Sequence, residues 1–99
     1  MIRGIWQFEV PHEQQAEYLE ATEKLIKPYW ESKACLSYEV YQDREDSLHF
    51  VKMQVYKDLA DMESDGRLLE TDPLAMEVVR TFRSFAENVT SRICELKSI

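Results

Sequence analysis

The sequence is poor in the residues that interrupt regular structure or that build metal and disulfide sites. Its 99 residues include two glycines, three prolines, two cysteines and two histidines. So little glycine and proline argues against a loop-rich or low-complexity chain. The cysteines and histidines are too few and too scattered for a structural zinc site, so no metal is expected. The length leaves room for a single domain, predicted to span residues 1–99.

Long hydrophobic runs and an excess of positive charge are also missing. No segment approaches the ~20 apolar residues that a transmembrane helix needs. The first ten residues lack the apolar core of a signal peptide. We therefore expect a cytoplasmic protein with no membrane partner. Nineteen acidic residues against twelve basic ones leave a net charge of -7, which repels phosphate backbones, so no nucleic-acid partner is expected.

Hydrophobic periodicity divides the chain into six main segments. Alternation predicts four strands, at Ile2–Val10, Ala34–Gln42, Leu48–Lys57 and Thr90–Leu96. Apolar steps of three and four predict a helix from Pro11 to Trp30, kinked or ended at Pro28, and a second helical region between residues 58 and 89. The second region is predicted to break near Gly66 and to restart at Thr71-Asp72-Pro73.

This order of strand, helix, strand, strand, helix, strand predicts an α+β fold. It is typical of the ferredoxin-like βαββαβ sandwich, in which two helices cover one face of a four-stranded antiparallel sheet. The second and fourth strands then lie at opposite edges, so Cys35 and Cys94 are too far apart for a disulfide within one subunit.

Both faces of the predicted sheet carry apolar residues, although two helices can cover only one face. On the third strand, Val51, Met53 and Val55 lie on one face, whereas Phe50 and Tyr56 lie on the other. An apolar face without helices is expected to be buried against a partner. In a chain with one domain, a homodimer through the sheet face is the simplest arrangement.

Few residues offer chemistry, and each also has a purely structural interpretation. His49 is the only group in a predicted strand that titrates near neutral pH, and as a general base it could deprotonate a phenol. Alternatively, it is a hydrogen-bonded strand residue. Arg67 could anchor an acidic ligand or lie solvated on its helix. Glu63 and Asp65 are expected to be surface charges.

Aromatic residues and two polar neighbours suggest a binding pocket. The aromatic set could line a flat aromatic pocket or simply form core: Trp6, Phe8, Phe50, Tyr56, Phe82 and Phe85. Lys52 and Gln54 share a strand face with Phe50 and Tyr56, and need partners if that face is enclosed. They could polarise a substrate oxygen, or pair with a carboxylate such as Glu39 across the hairpin.

Three segments carry a family resemblance: LIKP at residues 25–28, CLSYEV at 35–40 and VYKDLADM at 55–62. With the element order, they resemble the antibiotic biosynthesis monooxygenase family of the dimeric α/β-barrel superfamily. The resemblance extends over nearly the whole chain. It implies a dimer in which two sheets pack together and a pocket between helices and sheet within each subunit. Members include cofactor-independent oxygenases of quinols and polycyclic phenols, and others degrade haem.

The chain departs from this family pattern at one histidine. That histidine is frequent in the helix after the third strand, but the corresponding position falls near Asp65 or on Leu68. Haem-degrading relatives need an axial histidine on the second helix, and residues 59–88 contain none, so haem is not expected. No other cofactor is expected either. The missing histidine also motivates two alternatives: a non-catalytic dimeric ligand-binding or stress and regulatory protein, or an isomerase or lyase using Asp65 or Arg67.

The resemblance, together with the aromatic set, implies a cofactor-independent, monooxygenase-like protein that acts on a small aromatic or quinol-type substrate. The predicted catalytic residues are His49 and Tyr56. The predicted substrate-binding residues are Trp6, Phe50, Gln54, Arg67 and Phe82.

Overall fold

A four-stranded antiparallel sheet forms one layer of the protein in a computed structural model that describes residues 1–99. The strands are β1 (Ile2–Glu9), β2 (Ser37–Gln42), β3 (His49–Tyr56) and β4 (Glu87–Glu95). They lie in the order β2-β3-β1-β4. This order, with antiparallel neighbours throughout, confirms the ferredoxin-like sandwich. Cys35 and Cys94 are both free thiols, as expected from strands at opposite edges.

Two crossovers supply the helical layer on one face of the sheet. The first contains a 3-10 turn (His12–Gln14), α1 (Gln15–Ala21), a π-helical segment (Thr22–Ile26) and α2 (Lys27–Glu31). The second contains α3 (Leu59–Thr71) and α4 (Pro73–Phe85). None of the helices has the length and hydrophobicity that a membrane-spanning helix requires.

The helix ends differ from the predicted ones in two places. The predicted break near Gly66 was wrong, because α3 continues through it to Thr71. A glycine at an exposed helix position costs only ~1 kcal/mol relative to alanine, which the rest of the helix can absorb. Conversely, α4 ends at Phe85, and Val89 belongs to β4 rather than to the helical stripe.

Pro28 does not end the helical structure of the first crossover, which continues from the π-helical segment into α2. A proline removes one backbone donor, and its ring clashes with the carbonyl four residues earlier in a regular α-helix. Here the preceding turn is a π-helix, in which the Lys27 N–H bonds to the Thr22 carbonyl five residues back. The wider turn accommodates the proline, so α2 continues and buries Tyr29 and Trp30.

Aromatic rings fill the space between sheet and helices. Phe8 and Phe50 face each other across β1 and β3 with ring centroids 6.0 Å apart. Tyr18 from α1 meets both rings edge-on at 5.7 Å. Phe82 from α4 meets Phe8 at 5.0 Å. Such edge-to-face contacts add to the burial of large apolar area, which anchors α1 and α4 on the sheet.

The opposite face of the sheet has no helices on it. At its centre lie Ile5, Val51, Met53 and Val55, which we call the open sheet face. The first three are half-buried and Val55 is buried. The apolar centre of this face is as predicted, with Arg3, Glu39 and Arg92 beside it on the same side of the sheet, whereas the dimer inferred from it stays a prediction.

The N-terminus of α3 offers a test of local stability. Asp58 caps this helix, because its Oδ1 accepts a hydrogen bond from the Asp61 N–H at 2.9 Å. We expect Asp58→Ala to lower the free energy of unfolding by about 1 kcal/mol in urea titrations, since the Asp61 donor loses its partner. Asp58→Ser keeps an accepting oxygen and should retain most of that stability. Equal losses in the two variants would contradict the capping role.

Candidate functional site

A cavity of about 430 Å³ lies between the helix-covered face of the sheet and helices α3 and α4. Strands β1, β3 and β4 form its floor, and the helices form its walls. Most of the lining is apolar, so a ligand here would leave water for a hydrophobic surface. The apolar and aromatic lining residues are Trp6, Ile26, Trp30, Tyr56, Met62, Leu69, Val78, Val79, Phe82 and Val89.

Three polar side chains from β3 form a row along the cavity floor, which we call the polar row: Lys52, Gln54 and Tyr56. They share one face because side chains alternate along a strand. Lys52 Nζ donates a hydrogen bond to Gln54 Oε1 at 3.1 Å, and Gln54 Nε2 donates to Tyr56 Oη at 2.9 Å. The bond to Tyr56 orients the Gln54 amide so that its oxygen faces the lysine.

Lys52 is a buried amine with no carboxylate partner. Only 6% of its surface is exposed, and none of the four ion pairs of the protein involves it. Its Nζ lies 4.2 Å from the centroid of the Trp6 ring and 4.4 Å from that of Phe82. Because burial penalises the charged form, the pKa of Lys52 falls to about 7.

The predicted pairing of Lys52 with Glu39 was wrong. Glu39 pairs in register with Met53, so its side chain extends to the opposite side of the sheet from Lys52. There its carboxylate accepts hydrogen bonds from the hydroxyls of Tyr41 and Ser37.

Asp65 forms the wall of the cavity near the Tyr56 end of the polar row. It is 3% exposed, so the expectation of a surface charge was wrong. Its Oδ1 accepts a hydrogen bond from the Ala34 N–H at 3.1 Å, whereas Oδ2 has no partner. Burial first, then the nearby Cys35 and Asp65 charges, raise the pKa of Tyr56 well above its ordinary value. Tyr56 therefore keeps its proton at physiological pH.

Gly4 allows the Trp6 ring to lie close to the sheet. A Cβ at Gly4 would stand 2.7 Å from Trp6 Cη2 and 2.9 Å from Met62 Cε, too close for either contact. Gly4 also pairs directly with Gln54 across β1 and β3. The missing side chain therefore shapes the cavity beside the polar row.

Comparison with known proteins identifies the family to which the chain belongs. The family model described as antibiotic biosynthesis monooxygenase matches residues 1–64, from β1 into α3. The chain belongs to this family. No similar sequence was found among curated proteins.

Solved structures share the fold of this family member along almost its whole length. A crystal structure of an antibiotic biosynthesis monooxygenase is 18% identical with a TM-score of 0.75, covering 99% of this chain and 100% of that one. A conserved protein from Methanosarcina mazei Go1 is 20% identical with a TM-score of 0.77, covering 97% and 92%. An uncharacterized NIPSNAP domain protein from Burkholderia xenovorans is 13% identical with a TM-score of 0.79, covering 99% and 96%. At these identities the likeness shows the fold alone.

The cavity brings together four of the seven predicted site residues: Trp6, Gln54, Tyr56 and Phe82. Three others do not line it. Phe50 is buried in the aromatic core. His49 begins β3 and shares the strand face of Val51 and Met53, on the opposite side from the polar row. Arg67 is an exposed residue of α3. The arginine that lines the cavity is Arg83 of α4.

The role of Lys52 leads to a prediction on pH and stability. In the unfolded chain its pKa is near the ordinary 10.4, and in the folded protein it is about 7. Between these values the unfolded state binds more protons, so the free energy of unfolding should rise with pH. From pH 7 to about 9 the slope should approach ~1.4 kcal/mol per pH unit.

Lys52→Met removes this titrating group and should remove its contribution to the slope, with the largest stabilisation relative to wild type below pH 7. Urea titrations of both proteins at several pH values measure the difference. Cys35 titrates in both proteins, so the comparison isolates the lysine. Parallel stability curves would show that Lys52 keeps an ordinary pKa.

Proposed function

We propose that this protein is a cofactor-independent monooxygenase and that a small aromatic or quinol-type substrate binds in the cavity. The observation that carries the proposal is the combination of apolar, aromatic walls with a convergent row of polar groups on one strand. Family membership supports the reaction class. Two expectations stay predictions: that the protein needs no cofactor, and that it is located in the cytoplasm.

The polar row supports a definite orientation of the substrate. An aromatic ring system in the cavity would pack against Trp6 and Phe82, with its hydroxyl directed at Lys52, Gln54 and Tyr56. An ionised hydroxyl would gain a hydrogen bond from the Tyr56 hydroxyl, which keeps its proton, and a charge interaction with protonated Lys52. Loss of that proton makes the ring electron-rich enough to react with dioxygen.

The proposed reaction needs no external reductant, because the substrate supplies the electrons. A ring C–H carbon of the substrate becomes a carbonyl carbon with one atom of dioxygen, and the substrate loses that ring hydrogen together with its hydroxyl hydrogen. The other oxygen atom leaves as water with the two hydrogens that the substrate loses. The residues of the chain bind the substrate and stabilise its oxyanion.

The open cavity favours an enzyme over a non-catalytic dimer of the same fold. Side chains that filled the interior would have indicated a structural or regulatory role. Instead, space remains beside several buried polar groups, and one of them, Asp65 Oδ2, has no hydrogen-bond partner. Buried polar groups around an apolar cavity are typical of a ligand site.

We further propose a homodimer formed through the open sheet face. Its four residues are apolar, and no helix of the same chain covers them. A second copy presents the same apolar centre, which suits a two-fold symmetric contact. This arrangement leaves the cavity, on the other side of the sheet, within each subunit.

Activity is tested by oxygen consumption with hydroxylated naphthalenes and anthrones, with no flavin or metal added. We expect turnover, and we expect Tyr56→Phe to lower kcat/KM by roughly tenfold because one hydrogen bond to the substrate oxyanion is lost. His49→Ala should leave kcat/KM unchanged, since His49 lies outside the cavity. If His49→Ala lost activity while Tyr56→Phe kept it, the active site would lie on the other face of the sheet.

The dimer is tested by sedimentation equilibrium. We expect wild type to sediment at twice the 11.8 kDa mass of one chain. Met53→Glu places a charge in the open sheet face and should produce monomers, because burying an unpaired carboxylate is unfavourable. The control is Leu74→Glu, which changes an exposed leucine of α4. A monomeric wild type would refute the proposed interface.

A further inference from the structure

Lys52 differs from the other five lysines in its surroundings. Lys24, Lys33, Lys57 and Lys97 are exposed and Lys27 is half-exposed, whereas Lys52 is enclosed by aromatic rings at the cavity floor. We propose that Lys52 is a nucleophilic amine that binds an aromatic aldehyde or ketone in the cavity as an imine. This activity goes beyond the proposed oxygenase and involves no dioxygen.

The geometry leaves the Lys52 amine free to act as a nucleophile toward a ligand in the cavity. Nζ makes one hydrogen bond, to Gln54 Oε1, although an amine has further positions for a partner. Lys52 lines the cavity together with Trp6 and Phe82. A carbonyl carbon attached to an aromatic ring can therefore approach the nitrogen while the ring packs against those two side chains.

Burial also raises the share of the amine that is in its reactive, neutral form. No carboxylate compensates a charge on Nζ, and the rings and aliphatic side chains around it are poor substitutes for water. With a pKa of about 7, roughly half of the Lys52 amines are neutral at pH 7. An exposed lysine with an ordinary pKa is neutral in roughly one molecule in 2500 at that pH. A desolvated lysine in an apolar pocket is a known basis for imine chemistry.

The reaction balances with the groups present. The nitrogen lone pair attacks the carbonyl carbon, a C–N bond forms, and one proton moves from nitrogen to oxygen to give a carbinolamine. The C–O bond then breaks, and the oxygen leaves as water with the second proton of the amine. Amine and carbonyl compound thus give imine and water, with no oxidant or reductant. The apolar walls disfavour retention of the released water.

The test uses benzaldehyde and cyanoborohydride without dioxygen, followed by peptide mass mapping. Cyanoborohydride reduces the imine to a stable benzylamine, which marks the lysine that formed it. At pH 7 we expect Lys52 to be labelled at least tenfold faster than Lys24 or Lys97. Its rate should rise with pH around a midpoint near 7. The Met1 α-amino group can also form an imine, and its separate peptide serves as an internal reference.

Matched controls complete the test. Benzyl alcohol, which lacks the carbonyl, should leave the protein unlabelled, and Lys52→Met should lose only the fast label. If that variant does not fold, the pH profile of the wild-type label decides. Labelling of Lys52 at or below the rate of Lys24 and Lys97 would overturn the proposal. Because nothing in the assay depends on oxygen consumption, its failure is distinguishable from failure of the oxygenase.

Discussion

Alternation of side chains along β3 is the constraint on which both the cavity and the open sheet face depend. The even-numbered residues from Phe50 to Tyr56 face the helices, and the odd-numbered ones from Val51 to Val55 face away. A shift of one residue in register would move Lys52 out of the interior and bury Met53 against the helices. The antiparallel pairing with β1, fixed by Phe8 opposite Phe50 and Gly4 opposite Gln54, excludes that shift. The strand that completes the core therefore also builds the site.

The polar row lowers the free energy of unfolding, and a bound ligand would offset that loss. A buried lysine without a carboxylate loses hydration and gains only aromatic contacts and one hydrogen bond in return. Replacement by an apolar side chain of similar length would pack the same space without that loss. An ionised or carbonyl oxygen beside Nζ would supply the missing partner, so the feature that destabilises the free protein would favour the proposed binding. The cost of burying Lys52 and the binding of a ligand between the aromatic walls are therefore linked.

Much of this arrangement was predictable from the sequence because periodicity reports burial. The four strands, the two crossovers and the apolar second face all follow from alternation and from apolar steps of three and four. The same pattern placed Trp6, Gln54, Tyr56 and Phe82 near one another. Long-range geometry was not predictable in this way. Nothing local shows that the Asp65 carboxylate turns inward to the Ala34 N–H, or that Gly4 makes room for Trp6. The continuity of α3 through Gly66 likewise depends on the whole helix rather than on one residue.

Lys52 is an uncompensated amine inside the cavity, and a measurement of its pKa in the folded protein tests this assignment. Reductive methylation with carbon-13-labelled formaldehyde gives each lysine an NMR signal whose shift reports protonation, and Lys52→Met identifies the signal. We expect one lysine signal that titrates near pH 7, far below the ordinary lysine value of 10.4. Six lysines that all titrate near the ordinary value would contradict it.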